Sequence, residues 1–247
     1  MDPSPFTAHE VVGDPQFGRV AAFLVGAGAL GVIVTSGFYA LAGPQAALPG
    51  GAGSVEAARA ATVHAAPWMR AAGLTGMPSD VVLAIGALML AAMKRGRGAG
   101  IAVAGWMALA LAAALFVVVD AMVAFVLPAA ASLTGGEAAY AGLRALFDVL
   151  FSIGAWTAGA GALAASWSAH GPEYRRRGVL WAMRLAGGVG LAANSAYLLG
   201  LPGATLIGPG VALVSVAALL LAIALFSGGE NEGAVAAGVT PPCGTSG

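Results

Sequence analysis

Charge, histidine and cysteine are all scarce in this 247-residue chain, and each shortage closes off a class of function. Charged residues make up only 9% of it, whereas soluble domains hold about 25%. That is too little to cover a water-facing surface. Lys plus Arg and Asp plus Glu number 11 each, so the formal net charge is zero. With no basic stripe, nucleic acid is not a partner. Cys243, the single cysteine, excludes an internal disulfide, a thiol relay and a cysteine-ligated cluster. The histidines His9, His64 and His170 lie outside the apolar runs. None can therefore project into a bundle as a haem ligand. His64 and Glu56 stand eight residues apart, and a lone pair of this kind is an incidental feature of a helix face rather than a metal site. No serine neighbours an embedded histidine, and neither H-E-x-x-H nor G-x-D occurs. Catalytic, cofactor-binding and metal-binding residues are expected to be none, and the protein is not expected to be an enzyme.

What the chain has instead is apolar length. Hydrophobic residues reach 59%, with a mean hydropathy of +0.88. They fall into six runs, Val20–Leu41, Asp80–Met93, Gly100–Leu127, Leu143–Trp167, Val179–Leu199 and Leu206–Phe226. A spanning helix needs about 20 apolar residues to cross a hydrocarbon core of about 30 Å. Lipid offers backbone groups no partner, so such runs must be helical. The expected fold is all-α, a polytopic bundle of six transmembrane helices with the lipid bilayer as its main partner. Its expected divisions are a cytoplasmic N-terminal segment (1–18), the bundle (19–227) and a disordered cytoplasmic tail (228–247). Ala40-Leu41-Ala42 mimics a signal-peptidase site. The run before it is longer than a signal h-region, and its flank carries Asp2, Glu10 and Asp14, so it is expected to stay as the first span.

Cationic residues set the orientation. With the N-terminus inside, Arg19, Lys94, Arg95, Arg97, Arg175, Arg176, Arg177 and Arg184 face the cytoplasm, against Arg59, Arg70 and Arg144 outside. Both termini are thus expected in the cytoplasm. Tyr39, Trp68, Tyr140 and Tyr197 would mark the outer interface, and Trp167, Tyr174 and Trp181 the inner one. An outer loop over 43–66 is expected to carry a short surface helix capped by Ser54. The second run is the weak point, because Val81–Met93 covers only about 20 Å. Either Ser79 or Asp80 caps a short tilted helix, or the helix begins near Pro67 and bends at Pro78. The longer helix is favoured, and it draws Asp80 into the membrane.

Ionisable residues within apolar runs are costly in lipid and call for a partner or a cavity. Asp120 and Asp148 are such residues, at about 34 Å above Arg97 and about 33 Å above His170 on straight helices. Arg144 precedes Asp148 by four residues, so an ion pair is natural. Asp80, Asp120, Arg144 and Asp148 form the candidate intramembrane network. It reads as a structural tie between the third and fourth helices, as the lining of a cavity for a cation or polar ligand, or as a solvated interface. Asn194 suits a packing hydrogen bond between helices. Arg184 is placed to snorkel toward inner headgroups. Gly26-Ala27-Gly28-Ala29-Leu30-Gly31 matches G-x-G-x-x-G but lies inside a span. It allows close helix approach and does not bind a dinucleotide.

Lys94-Arg95-Gly96-Arg97 after the second run and Arg175-Arg176-Arg177 before the fifth, with a sizeable loop after the first, give a layout that resembles bacterial six-helix integral membrane proteins of families without an assigned function. The resemblance spans Gly18 to Phe226 and implies a bacterial cytoplasmic membrane. It carries over no functional residue. The expected role is a non-enzymatic structural or accessory membrane subunit, self-associating or meeting another membrane protein. The alternative is a small-solute or proton-coupled transporter using the embedded aspartates. No internal repeat marks a midplane site, which favours the subunit.

Overall fold

The structure is a computed structural model that describes residues 15–93, 99–168, 174–199, 201 and 206–236. Among them no residue is in a strand. The helices are α1 (Pro15–Ala42), α2 (Pro44–Ala47), α3 (Val55–Met93), α4 (Ala99–Ala121), α5 (Leu127–Ser132), α6 (Glu137–Ala165), α7 (Tyr174–Leu198) and α8 (Ile207–Ala236). A five-residue π-turn, Met122–Val126, joins α4 to α5, and a 3-10 turn, Ser166–Ser168, ends α6. The tight turn expected at Gly96–Gly98 lies outside the described residues.

Among the described residues, five segments are long and apolar enough to cross a membrane: Gln16–Ala42, Val55–Met93, Gly100–Ser132, Glu137–Ala165 and Ile207–Phe226. The protein is accordingly a multi-pass, all-helical membrane protein. Large apolar side chains point outward, with Phe23 64% and Leu185 65% exposed, while alanines dominate the buried set. Such a surface would be an aggregation liability in water, but lipid tails cover it. α7, at 25 residues, is also long enough to cross. It falls outside the five because Arg177, Arg184 and Asn194 dilute its apolar character.

The long helices form a closed ring. α1 packs on α3, α3 on α4, α4 on α6, α6 on α7 and α7 on α8, and α8 returns to α1. Small residues set the spacing. A Cβ on Gly28 would lie 2.6 Å from the Leu83 backbone nitrogen, and one on Gly86 would lie 2.7 Å from that of Val25. Close backbone approach of this kind is how helices gain van der Waals contact where lipid is as apolar as they are.

Three sequence expectations are corrected. The stretch after Ser54 is not a separate surface helix, because Val55–His64 is the first part of the 39-residue α3. Ser54 does act there, its Oγ accepting from Ala57 N–H at 3.2 Å. Neither Ser79 nor Asp80 caps a short helix, since α3 runs through both Pro67 and Pro78. Neighbouring helices stabilise a proline inside a spanning helix and ordinarily re-satisfy its freed carbonyl. Helical structure also passes the expected segment limits, beginning at Pro15 and reaching Ala236.

Candidate functional site

Pro78 and the π-turn bracket the polar centre of the ring. Pro78 lacks an N–H, so the Leu74 carbonyl loses its usual partner two residues short of Asp80. On α4 the chain enters the π-turn just after Asp120, and Leu127 N–H bonds back to Met122 O, five residues away. Pro128 follows at once. A proline cannot supply the N–H of the ordinary ladder, and the wider turn accommodates that loss. Both irregularities fall beside an aspartate.

Glycines then let the two helices close. Gly73 faces the Asp120 carbonyl and the Ala124 side chain, and Gly76 faces the Asp120 carboxyl so closely that any Cβ would overlap it. Asp80 and Asp120 are 3% and 2% exposed. Their carboxyls lie within hydrogen-bonding reach of each other. Tyr39 on α1 donates its hydroxyl to Asp120 Oδ1 at 2.8 Å. Three helices thus contribute one polar group each.

The cluster borders a partly enclosed cavity of about 300 Å³ inside the ring. α1, α3, α4, α6 and α8 all line it, and the segment after α1 closes one end with Pro44 and Leu48. Its polar groups are Thr35, Ser36, Tyr39, Asp80 and Asp120, and among the described residues no Arg, Lys or His lines it. Phe116 and Phe151 form an aromatic wall, edge to face with centroids 5.4 Å apart, and Tyr39 meets Phe151 at 6.2 Å. No protein-family model, curated protein or solved structure gives a significant match to the chain.

Arg144 and Asp148 belong elsewhere. Arg144 Nε donates to Asp148 Oδ1 at 3.0 Å, the i,i+4 pair expected along one helix face. This pair does not tie the third and fourth spans together. Its remaining N–H groups donate to Ala46 O at 2.6 Å and to Leu48 O, and more weakly to Gln45 O at 3.4 Å. Asp148 also lies near the Gly50 amide. The pair therefore fastens the segment between α1 and α3 onto α6. Asp120 and Asp148, similar in estimated height, do not share a site: Asp120 faces α1 and α3, while Asp148 faces that segment.

Asn194 Nδ2 donates to Ser152 O at 2.5 Å, linking α7 to α6. Arg184 reaches Ser166 O at 3.2 Å, and its guanidinium lies over Trp167 and Trp181 at 5.4 and 5.0 Å. Tyr140 is not an interface residue. It is 0% exposed, and its hydroxyl bonds Thr62 Oγ1 at 2.7 Å. Sequence reading missed Tyr39 as a site residue by assigning it to the interface. The overlooked signal was its place on the same helix as Thr35 and Ser36, four and three residues earlier.

Proposed function

We propose that the chain is a small-solute carrier of a bacterial cytoplasmic membrane, with α7 as a sixth span and both termini in the cytoplasm. The observation that carries this reading is the meeting of Asp80, Asp120 and Tyr39 at a cavity inside a closed helix ring, with no basic side chain in its lining. A carboxylate at membrane depth costs about 3 kcal/mol. Two in contact cost more unless a proton or cation sits between them. A purely structural network would be expected to hold a built-in counter-charge, as Arg144 supplies to Asp148. Pro78 and the π-turn add helix irregularity at membrane depth, a feature associated with transport sites. This shifts the balance from an accessory subunit to the carrier.

Purified protein in proteoliposomes, energised with a pH gradient and offered panels of small amines, sugars and carboxylic acids, tests the reading through solute-driven current. Current abolished by Asp120→Asn supports it, and silence with every panel in both gradient directions refutes it. Orientation is tested separately with a membrane-impermeant maleimide on intact cells. Cys243 is expected to stay unlabelled, while a cysteine placed at Val55 labels.

A further inference from the structure

We propose that the ring cavity binds a small organic ammonium, a protonated amine carried on an apolar body. The proposal names the ligand class of the site assigned to the carrier above and rests on that assignment. Three independent features converge. The first is the charge balance already described, two buried carboxyls against no base. The second is Thr35, which lines the cavity, is 5% exposed, and has an Oγ1 with no hydrogen-bond partner. Helical hydroxyls nearby satisfy themselves on the preceding turn, Ser36 on Val32 O at 2.9 Å and Ser79 on Thr75 O at 2.7 Å. Thr35 does not, so its buried oxygen is left for something inside the cavity. Leaving it unmet costs about 1–3 kcal/mol. The third is the wall of Phe116, Phe151 and Tyr39, because aromatic faces attract a desolvated cation.

Other ligand chemistries fit less well. A hard metal ion takes six or more oxygens, and among the described residues no group of three or more His, Cys, Asp or Glu could hold one. A sugar would leave most of its hydroxyls against Val32, Leu48 and Val211, which offer no partners. An anion would meet two carboxylates. An ammonium places N–H donors on Asp80, Asp120 and Thr35 and leaves its carbon frame to the apolar remainder. At about 300 Å³ the cavity stands at the lower limit of small-molecule sites.

The test is equilibrium binding to the full chain in lipid nanodiscs, with phenethylamine and its neutral isostere 2-phenylethanol as probes. Saturable amine binding is expected, with the alcohol weaker by about thirty-fold, the loss on removing one partner of a buried charge pair. Asp80→Asn with Asp120→Asn is expected to lower amine affinity by a similar factor and leave the alcohol unchanged. Thr35→Val is expected to weaken the amine about ten-fold, the lower end of the scale for a hydrogen bond with one charged partner. Equal affinity for amine and alcohol, unchanged amine binding in the double variant, or no saturable amine binding overturns the proposal. If the double variant does not fold, the amine-to-alcohol ratio and Thr35→Val decide the matter. Amine binding without amine-driven current would sink the carrier and keep the ligand class. Current that requires Asp120 without amine binding would do the reverse.

Discussion

Replacing Arg144 with methionine keeps most of the side-chain length and removes the charge and all its donors. Arg144 is 5% exposed, and its guanidinium serves Ala46 O, Leu48 O and Asp148, with Gln45 O at the edge of range. Breaking a buried ion pair by deleting one partner costs about 3–5 kcal/mol. The Asp148 side chain keeps 26% of its exposure, so water relieves part of that cost, and about 3 kcal/mol is expected here. The loss should concentrate in the segment between α1 and α3, because three of the abandoned acceptors lie there. Leu48 N–H bonds Pro44 O at 3.1 Å and Gly51 N–H bonds Leu48 O at 3.2 Å. Hydrogen exchange at those two amides reads local opening directly. An opening free energy lowered by 3 kcal/mol corresponds to about 150-fold faster exchange. Pro44 and Leu48 also line the cavity, so the same variant should widen access to Asp120. Adding Asp148→Asn to Arg144→Met removes the stranded carboxylate and should recover part of the protection. Unchanged exchange at Leu48 and Gly51 in a folded Arg144→Met protein, or a double variant no better protected than the single, refutes the reasoning.

Other contacts give sharper local tests. Thr62→Val strands the fully buried Tyr140 hydroxyl and should destabilise by about 1–3 kcal/mol in a denaturant titration in micelles. Thr62→Val combined with Tyr140→Phe should recover most of that loss, and failure to do so would show that the hydrogen bond was not the cause. Gly28→Ala drives a methyl against the Leu83 backbone, which cannot rotate away, so α1 and α3 must part. A loss of about 1–3 kcal/mol by the same titration is expected, and a neutral result would refute the close approach. Asn194→Ala removes the bond to Ser152 O and should cost about 0.6–1.7 kcal/mol. The lower end is expected because the Asn194 Oδ1 is buried without a partner and its removal relieves that.

Distance along one helix and distance across a bundle are different quantities, and this separates what was legible in the residues from what was not. The Arg144–Asp148 pair is a matter of spacing, since positions four apart share a helix face wherever the helix sits. The cap at Ser54 and the packing role of Asn194 follow from side-chain chemistry in the same way. Grouping Asp120 with Asp148 relied on estimated heights. It failed because height along an axis leaves rotation about that axis free. Rotation turned Asp120 toward Tyr39 and Asp80 and turned Asp148 toward Gly50. Pro67 misled in the other direction. It read as a helix start, but it sits inside one 39-residue helix that also runs on through Pro78.

The residues alone determined the medium and the backbone state, because long runs with 9% charge can hide their peptide groups only as helices in lipid. Tertiary structure alone decided that α8 closes on α1 and so creates an interior. It also decided which embedded acids face that interior, because Gly73 lets the Asp120 backbone approach and Gly76 admits its carboxyl where any larger side chain would exclude it.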